Sequence, residues 1–173
     1  MLDAAAYSAV DRLRDGRAVL IRALKPADQV DLDLAVARVS DVSLYRRFFA
    51  IRRSFSERER KAFVTVDFVD HVALIALADE NGREAIVGGG RYVVVQPGRA
   101  EVAFIVIDAY QGQGLGSALL RHLTGLARAA GLREFIAEVL PENQPMLEVF
   151  QHSGLPISTS REPGVVHVSL RLE

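Results

Sequence analysis

Three glycines stand at alternate positions in the segment YQGQGLGSALL, residues 110–120. Glycine adopts positive φ without a steric penalty and lets a ligand approach the backbone closely. The residues that follow are typical of a helix, and a helix N-terminus offers unpaired N–H groups and the positive end of its dipole. The segment therefore predicts a cradle for a phosphate group.

Two familiar nucleotide-binding motifs do not fit this segment. A dinucleotide fingerprint requires G-x-G-x-x-G in a frame of parallel strands, whereas the residue three positions after Gly114 is Ser117. A P-loop requires a lysine inside the loop, and the only lysines of the chain are Lys25 and Lys61. A tight strand-to-helix turn without a ligand is the simplest alternative, but three glycines in five residues are more than such a turn needs.

The elements that must position this loop begin with a strand and a group of helices. The segment RAVLIRAL, residues 17–24, is typical of a strand. Residues 25–40 predict a helix with Asp28 as a candidate cap. Two further short helices are expected over residues 41–50 and 54–66.

The middle of the chain predicts an antiparallel meander. Residues 71–108 give three strands joined by the turns ENG and QPG. Three consecutive glycines, residues 88–90, lie inside the second strand and indicate a bulge or the close approach of another backbone. The glycine loop follows the third strand directly.

The last third of the chain alternates helices with strands. A helix over residues 117–130 is followed by a strand (133–140), a second helix (143–154) and two closing strands (155–172). The complete order is β, helices, βββ, α, β, α, ββ. It predicts an α+β fold with a mixed, mostly antiparallel central sheet of about six to seven strands flanked by helices.

Composition limits the classes of function. The 173 residues suffice for one domain, which we place over residues 17–173 after an N-terminal arm, residues 1–16, that is either a short helix or loose. A net charge of −1 gives no reason to expect nucleic acid. Without cysteine there is no thiolate chemistry, and the four histidines have no metal-ligand spacing, so no metal is expected. No signal peptide or membrane-spanning run is visible, so we expect a cytoplasmic protein without membrane contact.

The glycine loop also carries a family signature. Gln111, Gly114 and Gly116 fit the pattern Q/R-x-x-G-x-G/A between a strand and a helix, and in this context the chain resembles the GNAT N-acetyltransferases. Residues 138–155 are similar to the next block of that family, and the likeness covers about residues 17 to 172. A further segment resembles the acetyltransferase domain of bacterial protein-lysine acetyltransferases; its matching residues are Ser40, Ser43, Tyr45, Arg47, Phe48 and Phe49.

The resemblance implies that the phosphate is the pyrophosphate of coenzyme A and that acetyl-CoA is the cosubstrate. In this family the strand before the loop diverges from the next strand, and the pantetheine arm pairs with its free edge, here at Val106 and Ile107. The N–H groups of the glycine loop hold the pyrophosphate. The cofactor-binding residues implied in this way are Val106, Ile107, Gln111, Gly112, Gln113, Gly114, Leu115, Gly116, Ser117, Asn143 and Phe150.

Transfer of an acetyl group to a primary amine requires a base, because the amine must be neutral to attack. Glu101 is the candidate general base, since it lies on the strand before the loop in line with Ala103 and Ile105, and many GNAT members carry a glutamate on this strand. Glu138 on the next strand is the rival base. Glu101 could equally be a solvated residue after a turn, and Glu138 could pair with an arginine.

Two positions leave the chemistry open. Asn143 resembles a family asparagine that contacts the cofactor, yet it equally suits the N-cap of the helix that follows. Phe150 stands seven residues further on, where many GNAT enzymes have a tyrosine that protonates the departing thiolate. Phenylalanine cannot donate a proton, so this step would need no donor or a different one.

The leading interpretation is an acetyl-CoA-dependent N-acetyltransferase whose acceptor is a protein lysine or a small amine. The alternative is a non-catalytic, CoA-binding regulatory module with the GNAT fold, which Phe150 favours and Glu101 disfavours. A pure interaction domain that keeps only the fold is the third interpretation. The expected partners are acetyl-CoA and the amine acceptor, and homodimer formation is left open.

Overall fold

The computed structural model describes residues 2–48 and 56–173. Its strands are β1 (Ser8–Arg12), β2 (Ala18–Ala23), β3 (His71–Glu80), β4 (Arg83–Gln96), β5 (Arg99–Val106), β6 (Glu134–Val139), β7 (Ile157–Glu162) and β8 (Val165–Arg171). Its helices are α1 (Gln29–Ala37), α2 (Asp41–Phe48), α3 (Glu57–Val64), α4 (Leu115–Ala129) and α5 (Gln144–Gln151), with short 3₁₀ turns at Ala4–Ala6, Pro26–Asp28 and Asp108–Tyr110. Phe49 and the adjoining parts of the two short helices expected there lie outside the described residues.

The strands form one sheet in the order β1-β2-β3-β4-β5-β6-β8-β7. All neighbouring strands are antiparallel except β5 and β6, which run parallel and are connected through α4. The predicted α+β fold with a mostly antiparallel sheet is confirmed, with eight strands instead of about six to seven. None of the helices in the described ranges is long and apolar enough to cross a membrane.

The additional strand comes from the N-terminal segment. Strand β1 pairs with β2, and Val10 lies opposite Leu20. The expectation of a short helix or a loose arm is therefore wrong for Ser8–Arg12. An edge strand pairs on one side only, and Val10 is 70% exposed, so this strand does not need a buried apolar face. Its sequence therefore lacks the apolar alternation from which a strand is predicted.

Asp28 does not cap α1 with its side chain. Its carboxylate instead accepts two hydrogen bonds from the Arg22 guanidinium (2.8 and 2.9 Å) and one from the Lys25 N–H (2.7 Å). Burial opposes ionisation, but these donors outweigh it and keep the pKa of Asp28 below its usual range. The residue therefore fixes the connection between β2 and α1.

Two of the three glycines of β4, Gly88 and Gly90, allow α4 to lie close to the sheet. A Cβ on Gly90 would stand 2.7 Å from Phe104 and 3.0 Å from Leu123, and a Cβ on Gly88 would stand 3.0 Å from Leu115. The pairing of β3 with β4 also shifts register between Ala76 and Leu77. The register shift confirms the bulge, one of the two alternatives predicted for this glycine run. The other alternative, close approach of a backbone, is met at Gly89, where a Cβ would stand 3.1 Å from the Leu74 carbonyl oxygen of β3.

The sheet opens between its two parallel strands. Strands β5 and β6 pair at only three positions, of which the last joins Glu101 to Ile136. Beyond this point β6 continues to pair with β8, from Ala137 to Val139, while β5 continues along β4 to Val106. Among the described residues, one edge of β5 therefore has no strand partner just before the glycine loop.

Candidate active site

A cleft of about 420 Å³ fills the opening between β5 and β6. Its walls are the free edge of β5, the glycine loop with the first turn of α4, the end of β6, and α5. The predicted cofactor-binding residues that line it are Val106, Gln111, Gly112, Gly114, Leu115, Gly116, Ser117, Asn143 and Phe150. Most of the predicted cofactor-binding residues therefore lie around one cavity in the structure. Their roles in binding stay predictions.

Ile107 does not belong to this cleft. Its side chain is buried, and its N–H donates to the Val87 carbonyl (3.0 Å), toward β4. Because backbone groups of an antiparallel strand point alternately to its two sides, Phe104 and Val106 present theirs to the opening. The Val106 carbonyl already accepts a hydrogen bond from the Gln111 side chain (3.0 Å). The predicted edge of Val106 and Ile107 is thus corrected to Phe104 and Val106.

The three glycines of the loop are not equivalent in conformation. Gly112 and Gly114 adopt φ of 74° and 85°, the left-handed region that other residues rarely enter. Gly116 lies inside α4 without a positive φ, and a Cβ there would stand 3.4 Å from Val149 on α5. Positive φ explains the first two glycines, whereas neither positive φ nor a steric clash requires a glycine at position 116. The side chain of Gln113, the residue between the first two glycines, does not line the cleft.

The loop presents a continuous row of backbone donors. In the described part of the chain, no N–H group from residue 112 to residue 117 donates a hydrogen bond to another protein group. The first carbonyl used by the helix is that of Gly114, which accepts from the Ala118 N–H (3.0 Å). Such a row at the start of a 15-residue helix suits an anion.

Gln111, Ser43 of α2 and Ser40 just before α2 hold the loop in place. The Gln111 amide donates to Ser43 Oγ as well as to the end of β5 (both 3.0 Å). The Ser40 N–H donates to the Asp108 carboxylate (2.9 Å) just before the loop. The serines that resemble those of lysine acetyltransferases therefore attach α2 to the loop. Gln111 lines the cleft, but its side chain is already engaged.

The two candidate bases differ in their position relative to the cleft: Glu101 lies beside it, and Glu138 lines it. Glu101 is exposed and lines a neighbouring recess of about 260 Å³, but not the cleft itself. Glu138 lines both the recess and the cleft, and its carboxylate is 3.7 Å from His167 Nδ1. The structure thus brings both glutamates to one recess, and the identity of the base stays a prediction.

Asn143 and Phe150 occupy the wall formed by α5. Asn143 is the N-cap of this helix, since its side-chain oxygen accepts from the Met146 N–H (3.3 Å). Phe150 is 1% exposed, and its ring centroid is 6.2 Å from that of Phe104. Asn143 thus serves as the helix cap, one of the two roles considered for it, while Phe150 presents an apolar ring where a hydroxyl was considered.

The sequence reasoning did not assign any arginine to the cleft, although Arg47 was noted as part of the segment that resembles lysine acetyltransferases. Arg14, Arg46 and Arg47 all line it, although none lies near the glycine loop in sequence. Burial lowers the pKa of Arg47, against the opposing effect of the negative charge of Glu101. Arg14 lies in the N-terminal segment. Only the pairing of β1 with β2 would have indicated that it reaches the cleft.

A smaller pocket of about 90 Å³ lies on the other side of β5, beneath α1 and α3. It shares Arg47 and Phe104 with the cleft and also contains Arg91. Burial and the charge of Arg47 lower the pKa of Arg91 to about 10. Burial, and then the charge of Arg91, also lower the pKa of His71, which lies 3.2 Å from the guanidinium. Within the described ranges no cluster of three or more acidic or histidine side chains could hold a metal ion.

Similarities to known proteins agree with this geometry. Residues 42–155 match the acetyltransferase (GNAT) family. Acetyltransferase PA5475 of Pseudomonas aeruginosa is 32% identical over 141 residues, which are 81% of this chain and 76% of that protein. Acetyltransferase Pat of Mycolicibacterium smegmatis is 31% identical over 147 residues, 83% of this chain, but the chain spans only 43% of Pat. The crystal structure of the GNAT domain of S. lividans PAT superposes with a TM-score of 0.86 at 38% identity, over 95% of this chain and 96% of that domain.

Proposed function

The chain belongs to the GNAT family of acetyltransferases, and from this premise we propose that it transfers the acetyl group of acetyl-CoA to a primary amine. The observation that carries the proposal is the row of N–H groups from residue 112 to residue 117, free of protein acceptors in the described part of the chain and set at the mouth of the cleft. Any helix leaves about four such groups at its start, and here residues 112 and 113 extend the row into the loop, which suits a phosphate chain.

The residues of the cleft fit coenzyme A. Gly112 and Gly114 leave no side chain between the loop backbone and a pyrophosphate, and the helix dipole of α4 favours its negative charge. The edge of β5 at Phe104 and Val106 offers backbone groups to the amides of a pantetheine arm. The thioester supplies an activated acetyl group, and the protein positions it and removes water around it.

Proton removal from the acceptor is assigned to the recess beside the cleft. A primary ammonium group of the lysine type has a pKa of about 10.4, so a base must take its proton before attack. We retain Glu101 as the proposed general base because it lies at the last paired position before β5 and β6 diverge. Glu138 is the competing assignment, since it reaches the cleft directly and lies near His167.

The acceptor is proposed to be a primary amine, either a protein lysine or a small molecule. Two carboxylates, Glu101 and Glu138, line the recess, so the acceptor approaches a negatively charged surface. Such a surface attracts a protonated amine before it is deprotonated.

A non-catalytic CoA-binding module is the second candidate, and Phe150 is the observation that favours it. The residue is buried against the cleft and has no hydroxyl to protonate a departing thiolate. A thiol with an ordinary pKa near 8.5 is, however, a good leaving group close to neutral pH. The absence of a donor at this position is therefore compatible with turnover.

One experiment separates these functions. Binding of CoA and acetyl-CoA is measured by calorimetry, and release of free CoA thiol is followed with a panel of small amines and lysine peptides. Ligand at a hundredfold excess over Kd should raise the free energy of unfolding by about 2.7 kcal/mol, a clear thermal shift. Binding with turnover supports the acetyltransferase, binding without turnover on any amine supports the regulatory module, and no binding refutes both.

A further inference from the structure

The turn between β1 and β2 reaches across to the glycine loop. The Arg14 N–H donates to the Gln113 carbonyl (2.9 Å), and Arg14 Nη1 donates to the Gly112 carbonyl (3.2 Å). A Cβ placed on Gly114 would stand 3.6 Å from Arg14 Nε. The guanidinium therefore lies against the middle of the loop and forms part of the cleft wall.

The N-terminal hairpin is held in this position from both sides. Asp11 on β1 is 2.5 Å from a guanidinium nitrogen of Arg121 and 2.9 Å from His122 Nε2, both on α4. On the other side of the turn, the Arg17 guanidinium lies 4.5 Å from the centre of the Tyr110 ring. The approach of Arg14 to the loop is thus supported by contacts other than its own.

The positive charge of Arg14 has no carboxylate partner within the described residues. Arg17 in the same turn is paired with Asp15 (2.7 Å). A guanidinium carries five N–H donors, and only one nitrogen of Arg14, Nη1, is engaged, by a carbonyl. The guanidinium lines the same cleft as Gly112 and residues 114–117, whose N–H groups have no protein acceptor in the described part of the chain. A cation and a row of amide donors that converge on one cavity are suited to a multiply charged anion.

We propose that Arg14 binds the pyrophosphate of coenzyme A and that the N-terminal hairpin is thereby a wall of the cofactor site. The inference rests on the proposed function, because it takes coenzyme A as the ligand of the cleft. The pyrophosphate is favoured over the 3′-phosphate of the adenosine because Arg14 contacts Gly112 and borders Gly114, the residues at the centre of the cradle.

The test compares Arg14→Gln, Arg14→Lys and the control Arg12→Gln by calorimetric titration with CoA and with dephospho-CoA, which lacks the 3′-phosphate. Arg12 is an exposed arginine of the same hairpin that donates to the Gly16 carbonyl and does not line the cleft. Arg14→Gln should weaken both ligands by the same factor of about tenfold, since a hydrogen bond to a charged group is lost. Arg14→Lys should recover part of the affinity, because it restores the charge but not the planar fork.

Two further measurements separate phosphate binding from a structural role. The dependence of log Kd on log salt concentration should be shallower for Arg14→Gln than for the parent, and the melting temperature without ligand should be unchanged. Equal affinity of Arg14→Gln and the parent would overturn the proposal, as would a loss confined to CoA, which would assign Arg14 to the 3′-phosphate. A lower melting temperature of the free variant with an unchanged salt dependence would also overturn it. Failure of the parent itself to bind CoA would refute the proposed function instead.

Discussion

Replacing Gly114 by alanine should destabilise the free protein and remove most of its affinity for CoA. Gly114 has φ of 85°, and a left-handed conformation costs an L-residue about 1–2 kcal/mol. The added Cβ would lie 3.6 Å from Arg14, an ordinary contact, so no clash adds to this cost. For a domain of this size, we expect the melting temperature to fall by about 2–8 °C. CoA binding suffers because relief of the strain turns the loop N–H groups away from the cradle.

Gly116→Ala is the matched control in the same loop. Gly116 lies within α4, where alanine is favoured over glycine by up to about 1 kcal/mol. The new Cβ would be 3.4 Å from Val149, a separation that does not require displacement. The melting temperature of Gly116→Ala should therefore equal or exceed that of the parent, and CoA should still bind.

The assay is thermal unfolding of both variants without ligand, followed by calorimetric titration with CoA. Our reasoning requires Gly114→Ala to melt below the parent and Gly116→Ala not to do so. If the two variants lose the same stability, positive φ is not what the loop needs from Gly114. If Gly114→Ala melts lower but binds CoA as tightly as the parent, the phosphate cradle lies elsewhere.

Three other outcomes are expected. Glu101→Gln should bind acetyl-CoA normally and lose about 10²- to 10⁴-fold in rate, and this loss should become smaller at high pH. If Glu101→Gln keeps the parent's rate and Glu138→Gln is slow, Glu138 is the base instead. Phe150→Tyr should fold normally and change the rate little, as measured by CoA release, and a large gain would mean that thiolate departure limits the parent. Burial opposes ionisation of Asp11, but hydrogen bonds from His122 and neighbouring groups lower its pKa below the ordinary 3.8. The ionised Asp11 carboxylate therefore contributes its full stabilisation above the pKa of the unfolded state. This stabilisation is lost as the pH falls through the pKa of the folded state. Urea unfolding should show Asp11→Asn to be less stable than the parent at pH 7, and the difference in free energy of unfolding should disappear in acid. A difference that persists below pH 2 would contradict this assignment.

The sequence alone was sufficient for most elements of secondary structure after the N-terminal segment and for the family. Hydrophobic periodicity and turn residues are local properties, so the antiparallel meander, the helix after the loop and the closing strands could be predicted from short segments. The glycine signature was equally local. It predicted the phosphate cradle because positive φ at Gly112 and Gly114 belongs to the loop itself.

Tertiary structure decided which side of each strand and loop faces the cleft. Residues Val106 and Ile107 are equally apolar, and only the pairing of β5 with β4 turns the backbone of Ile107 away from the opening. Strand pairing likewise placed Glu101 beside the cleft instead of on it. These outcomes depend on partners distant in the chain, which the residues of one segment do not encode.

The position of Arg14 shows the same limit most clearly. It bonds to Gly112, a residue 98 positions away, and it does so because the N-terminal hairpin joins the edge of the sheet. The edge strand that carries this hairpin is short and largely exposed, so its own sequence gave no sign of a strand. Long-range pairing of the backbone, and not the local pattern of side chains, brings this arginine to the glycine loop.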